Sequence, residues 1–192
     1  MVRRPVRREA TSITIAKHTL PSGEVIAMLG AAENTGLALR VVNIPLEDRM
    51  VGTTLATTKS FANTSAKELG GYCRAMTKGL VFTMTNRAAA IRIFWDEFPT
   101  TKPANLDDTT ALKNGVHIMD RFLEKALQGQ PEGSRLGEFI TANWQNTHAA
   151  YIKLGTLKGT EAATDSYTQQ FLAACNDFDR AAVVAQAKSM NQ

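Results

Sequence analysis

Four arginines stand within the first eight residues, Arg3, Arg4, Arg7 and Arg8. Six further cations, Lys59, Lys67, Arg74, Lys78, Arg87 and Arg92, lie between residues 59 and 94, with Glu68 the one acid among them. Guanidinium and ammonium groups at such density suit a polyanion rather than proton transfer, because arginine stays charged and forks onto paired oxygens. The chain of 192 residues has 22 Lys+Arg against 18 Asp+Glu, a formal charge of +4. Without the four arm arginines the count is 18 against 18, so the arm carries the whole excess and the body is neutral. A neutral body with a short cationic tail fits neutralisation of phosphates by a terminal segment.

The second set has its own geometry. At about 100° per residue on a continuous helix, Lys67, Arg74, Lys78 and Arg92 fall within roughly 20° of one line, and Arg87 points to the opposite side. Such a row, with no acids at i,i+4 to neutralise it, can track a phosphate backbone. Tyr72, Phe82, Phe94 and Trp95 are interleaved with it and either stack bases or fill the core. The same cations have possible partners in Glu161, Asp165, Asp177 and Asp179.

Catalytic chemistry finds no comparable support. The chain has no GxSxG, Walker or GxGxxG pattern, and Gly30 to Gly36 reads as a strand connector. Three scattered histidines offer no metal-ligand spacing, and His117 with Asp120 reads as a pair one helical turn apart. No enzyme activity, metal or cofactor is expected. Cys73 and Cys175 are too few for a disulfide scaffold and read as free thiols in a reducing compartment. No run approaches the roughly 18 apolar residues of a membrane span, and no apolar segment follows the basic N-terminus as a secretory signal requires.

These side chains need positioning elements. A basic arm over 1–11 precedes a region at 12–63 that reads as a small antiparallel sheet and a threonine-rich loop. Its strands are expected at 12–17, 25–29 and 37–44, with a turn at Pro21-Ser22-Gly23-Glu24 and a stop at Pro45. Residues 64–192 switch to helical periodicity. Ser65-Ala66-Lys67-Glu68 is a capping box, opening a helix that runs as far as Phe98 with Asn86 a candidate break. Asp107-Asp108 caps a second helix with an apolar stripe from Leu112 through Val116, Met119 and Leu123 to Leu127. Ser134 opens a third, closed by Gly155, and Tyr167, Phe171, Ala174, Phe178 and Ala182 mark a fourth. The expected fold is mainly α: a four-helix-bundle-like core with a small N-terminal antiparallel β-sheet and an extended basic arm.

Leu69-Gly70-Gly71-Tyr72-Cys73-Arg74, followed by Val81-Phe82-Thr83-Met84-Thr85-Asn86, resembles a helix in coat proteins of flexuous filamentous single-stranded RNA plant viruses of the potexvirus kind. There a Leu, an aromatic-Cys pair and a later Val-aromatic-x-x-Met-x-x-Asn-like run occur at similar spacing. The resemblance implies a helical core that polymerises around single-stranded RNA, with Arg74 and Asp120 at positions that form the RNA groove. Arm and resemblance together lead to the expectation of a non-enzymatic capsid or nucleocapsid protein. It would form a filament or shell of identical subunits on single-stranded RNA, in the virion and host cytoplasm, without membrane contact. The competing readings are a small helical RNA-binding subunit of a cellular nucleoprotein complex and a scaffolding protein with no nucleic-acid role.

Overall fold

A computed structural model describes residues 13–16, 22–37, 39–42, 51, 54–127, 133–157 and 162–190. The arm, with Arg3, Arg4, Arg7 and Arg8, and the Pro45 stop lie outside the described residues. The described chain is mainly helical.

The N-terminal region departs from expectation. Strand β1 (Ile13–Ala16) and strand β2 (Leu39–Val42) pair in parallel, with Ile13 opposite Leu39, and helix α1 (Ser22–Asn34) connects them. Among the described residues there is no antiparallel sheet: the expected return strand at 25–29 is the interior of α1. A short apolar run cannot be assigned by periodicity alone, and Glu, Ala, Met and Leu are good helix formers. Once that run is helical it supplies the crossover that a parallel pair needs. Gly36, in the left-handed conformation at φ +73°, ends α1. The amides of Gly36 and Leu37 then turn back onto the carbonyls of Glu33 (3.1 Å) and Ala32 (2.9 Å), satisfying the helix's last acceptors.

The long helix expected from residue 64 to Phe98 is divided in two at Asn86, and a further short helix precedes it. Helix α2 (Lys59–Thr64) starts inside the threonine-rich stretch read as a loop, capped by Thr58 Oγ1, which accepts from the Phe61 amide at 3.1 Å. Helix α3 (Ala66–Thr85) follows Ser65, whose side chain makes no capping bond. The capping box is therefore not formed; the Ser65 amide instead closes α2 on the Phe61 carbonyl. At Asn86 the backbone leaves helical geometry, and α4 (Arg87–Glu97) begins with the Asn86 side chain accepting from the Ala89 amide. A 3-10 turn, Pro99–Thr101, ends this segment. Helix α5 (Asp108–Ala126) is capped as expected, with Asp107 accepting from both the amide and the hydroxyl of Thr110.

Helix α6 (Thr141–Lys153) starts seven residues after Ser134. Gly137 stands at φ +85° between them, and that left-handed conformation cannot be part of an α-helix. Gly155, at φ +71°, closes α6 where the sequence placed the stop. The last stripe is interrupted. A 3-10 turn (Ala163–Ser166), a single helical turn α7 (Leu172–Cys175) and α8 (Arg180–Ser189) replace one helix, because Asp179 accepts from the Ala182 amide and starts α8 afresh.

Helix α5 packs on α1 and α4, while α3 packs on α4, α7 and α8. The buried positions are small or medium in size, among them Val81, Ile91, Ala111, Leu123, Leu172, Val183 and Ala187. A satellite cluster ties the start of α6 to the following segment, with Trp144 stacked on Tyr167 at 5.2 Å and Phe139 edge-on to both. Cys73 and Cys175 are not free thiols: they form a disulfide between α3 and α7 with a Cα–Cα distance of 4.8 Å. Two cysteines 102 residues apart carry no sequence signal for pairing; their juxtaposition is a product of the tertiary packing. Beside them, a Cβ on Gly70 would lie 3.0 Å from that of Ala174, so the glycine lets α7 approach α3.

Three outcomes follow for stability. On Gly30 an added Cβ would meet Ile118 Cγ1 at 2.9 Å and its Cα at 3.2 Å. Gly30→Ala should therefore push α1 off α5 and cost about 1–3 kcal/mol in urea unfolding. Gly71→Ala, with no atom within 4 Å of the new carbon, should raise stability by about 0.5–1 kcal/mol. Reducing the disulfide, which closes a loop of about a hundred residues, should lower unfolding free energy by about 4–5 kcal/mol on chain-entropy grounds, checked by melts with and without dithiol.

Candidate nucleic-acid interface

The helical phase that unites the cations holds only within α3. Lys67, Arg74 and Lys78 share one α3 face, since 3.6 residues per turn brings positions seven and eleven apart nearly into register. Arg92 lies beyond the Asn86 break on α4, exposed, so it does not continue that line. Lys67 is exposed and has no ion pair among the described residues. Arg74 Nη1 lies 3.7 Å from Asp177 Oδ2, and the Asp177 side chain is 82% exposed. Lys78 Nζ sits 6.0 Å from the ring centroid of Phe178, at the outer limit of a cation–π contact. The face thus runs beside the segment that follows α7, and Asp177 is the acid that meets it.

A shallow groove opens between α3 and α8, lined by Lys78, Gly79, Phe82, Ile93, Val183 and Met190. It puts one cation and one aromatic ring a helical turn apart against an apolar floor. Tyr72 and Phe94, two of the aromatics read as either base-stacking or core residues, are half exposed or more, at 56% and 50%. Trp95 lies under Lys102 Nζ at 5.7 Å from its ring centroid.

Asp120 does not meet Arg74. It pairs with Arg87 Nε, whose guanidinium also donates to the Met84 carbonyl at 2.9 Å. Nor does it pair with His117. The His117 partner is Glu33, Nε2 to Oε2 at 2.5 Å, and Arg121 binds the same carboxylate, Nη2 to Oε1 at 3.0 Å. This Glu33–His117–Arg121 cluster ties the end of α1 to α5, and sequence reading missed it. Glu33 lies in the Gly30–Gly36 stretch read as a connector, 84 residues from His117. The only available signal was the i,i+4 spacing of His117 and Arg121, which places both on one face of α5.

Among the described residues no group of three or more His, Cys, Asp or Glu side chains could hold a metal ion. No helix among them is long and apolar enough to cross a membrane. No known protein family, curated protein or solved structure matches the chain.

The hydrogen bond from His117, and then that from Arg121, hold the Glu33 carboxyl below its ordinary value of 4.5. A carboxylate with a depressed folded-state value stabilises the fold above the unfolded value, and that contribution is lost as pH falls through the folded one. Docking of α1 on α5 should accordingly loosen as pH drops below about 4.5. Glu33→Gln should remove that acid dependence, read as the pH profile of hydrogen exchange in 28–34. The effect should be small, because all three side chains are partly exposed.

Proposed function

We propose that this chain is a viral coat or nucleocapsid subunit that polymerises on single-stranded RNA, gripping the phosphate backbone with the N-terminal arginine arm and the Lys67–Arg74–Lys78 face of α3. The observation that carries the reading is the α3 groove. Lys78 and Phe82 line it together, one turn from Arg74, so a phosphate and a stacked base have partners in a single place. The arm adds four cations to a neutral body. The resemblance of 69–86 to coat proteins of flexuous filamentous plant viruses, also a proposal, agrees in placing Arg74 at the RNA. Arg92 and Asp120 have the weaker case: one lies on a separate helix and the other is paired with Arg87.

Self-assembly has independent support. Phe61, Met76, Phe94, Phe98, Tyr151 and Leu154 are among many large apolar side chains left exposed, Leu154 at 74%. Phe94 and Phe98 lie side by side with ring centroids 5.2 Å apart, and contiguous exposed apolar surface marks interaction sites. A second groove, between α3 and α5 and lined by Met76, Leu80, Met119 and Phe122, adds to it. The expected bundle counted α6 among its four helices; we propose instead a bundle-like frame in which α8, α3, α4 and α5 pack in that order, with the other apolar faces turned to neighbouring copies. The disulfide fits a particle that spends time in an oxidising environment as well as in host cytoplasm.

Binding should fall steeply with salt. Lys67→Gln with Lys78→Gln should lower the slope of log affinity against log salt by about 0.7 for each phosphate contact removed, and deletion of residues 1–8 should lower it further. Titration of a labelled single-stranded oligonucleotide measures this, and an absence of salt-dependent binding would sink the proposal. Filaments or shells in micrographs of the purified protein favour the coat reading; dispersed particles that still bind RNA favour a subunit of a cellular nucleoprotein complex.

A further inference from the structure

The Cys73–Cys175 disulfide lies one residue from Arg74 and two from Asp177. It fixes the segment after α7 against the cationic face of α3, and there two groups from that segment occupy the two cations. The Asp177 carboxylate sits where an incoming phosphate oxygen would meet Arg74, and the Phe178 ring lies under Lys78. At Gly70 the same two elements come close enough that an added Cβ would lie 3.0 Å from the Cβ of Ala174. A second anchor keeps the segment folded from its other side: Asn176 Nδ2 donates to the carbonyls of Leu136 (3.1 Å) and Leu172 (2.9 Å).

We infer that Asp177 is an internal phosphate mimic, held over Arg74 by the disulfide, and that reduction of Cys73–Cys175 releases the cation for nucleic acid. The inference rests on the reading of α3 as a phosphate-binding face. An exposed ion pair at 3.7 Å is weak in itself, but a tethered carboxylate competes at the high effective concentration of an intramolecular group. The chemistry is a two-electron exchange with a dithiol. A thiolate of the reductant attacks one sulfur, the S–S bond breaks, and a mixed disulfide forms. The second thiol then displaces the protein sulfur, leaving two protein thiols and an oxidised, cyclic reductant. Cys73 is only half-buried, which gives the reductant a point of entry. Arg74 is thus latched in an oxidising compartment and free in a reducing one.

The test is oligonucleotide affinity of the full chain at fixed salt, with and without dithiol. Wild type should bind about two- to fivefold more tightly when reduced, the range set by the value of an exposed pair. Oxidised Asp177→Asn should already bind at the reduced level and show no further response to dithiol. Asp165→Asn makes the same change of charge on an exposed residue outside the seam, and should keep the full redox response. Arg74→Gln should bind weakly in both states. Equal wild-type affinity in both states, or an intact redox response in Asp177→Asn, would overturn the latch while leaving RNA binding in place. If no variant binds in either state, latch and proposed function fall together. Circular dichroism of the reduced chain separates release of the segment from global unfolding, and loss of the helical signal on reduction would also overturn the latch.

Discussion

Between α3 and α4 the side chain of Asn86 joins three helices. Its Oδ1 caps α4 through the Ala89 amide at 3.0 Å, while its Nδ2 donates at 2.8 Å to the carbonyls of Ala187 and Met190 at the end of α8. Its own amide closes α3 on Phe82. One residue thereby ends a helix, starts the next and fixes a third against both, 101 residues further along the chain. Helix termini leave orphan donors and acceptors, and these are costly unless partners are found. Here the start of α4 and the end of α8 find theirs in the same amide. That position, with the disulfide farther up α3, sets how α8 and α7 lie along the helix and so defines the groove that Lys78 and Phe82 share.

Local punctuation was legible in the sequence where a single residue type decides the outcome. Asp107 as a cap, Gly155 as a stop and Pro99 at the close of α4 each needed only neighbours within a few residues. The helical character of residues 64–98 was legible too, and Asn86 was already the candidate break. What periodicity could not convey was the cost of that break to the cation row: Arg92 inherits no phase from Lys78 once the backbone leaves the helix. The 25–29 run failed for a different reason, since five apolar residues fit either period and the pairing partner of β1 decided the matter.

The pairings hardest to read from the sequence are long-range, and no spacing rule reaches them. Arg74 with Asp177, Glu33 with His117, and Cys73 with Cys175 each join elements that tertiary packing alone brings together. The acids between 161 and 179 were visible as possible partners for the row, but the choice of Asp177 needed the α3–α7 seam. The modest size of the buried residues was equally hidden. Alanines such as Ala111 and Ala187 are the most fully covered of the described side chains, while Phe61, Tyr72, Phe94, Phe98, Phe122 and Tyr151 stand at the surface. That departs from the usual burial order, in which large apolar side chains are covered as readily as alanine.

The disulfide also alters what it means to cut this protein. It closes a covalent ring that contains α4, α5 and α6, including the stretch from Leu127 to Gly133 that joins the last two of these. A protease that nicks the backbone once anywhere inside the ring leaves both fragments joined through sulfur, with α3 and α8 still held to each other. Such a molecule keeps its full mass on a non-reducing gel and separates into two bands only when thiol is added. Degradation in an oxidising environment would thus proceed without visible loss of full-length mass until the bridge is opened.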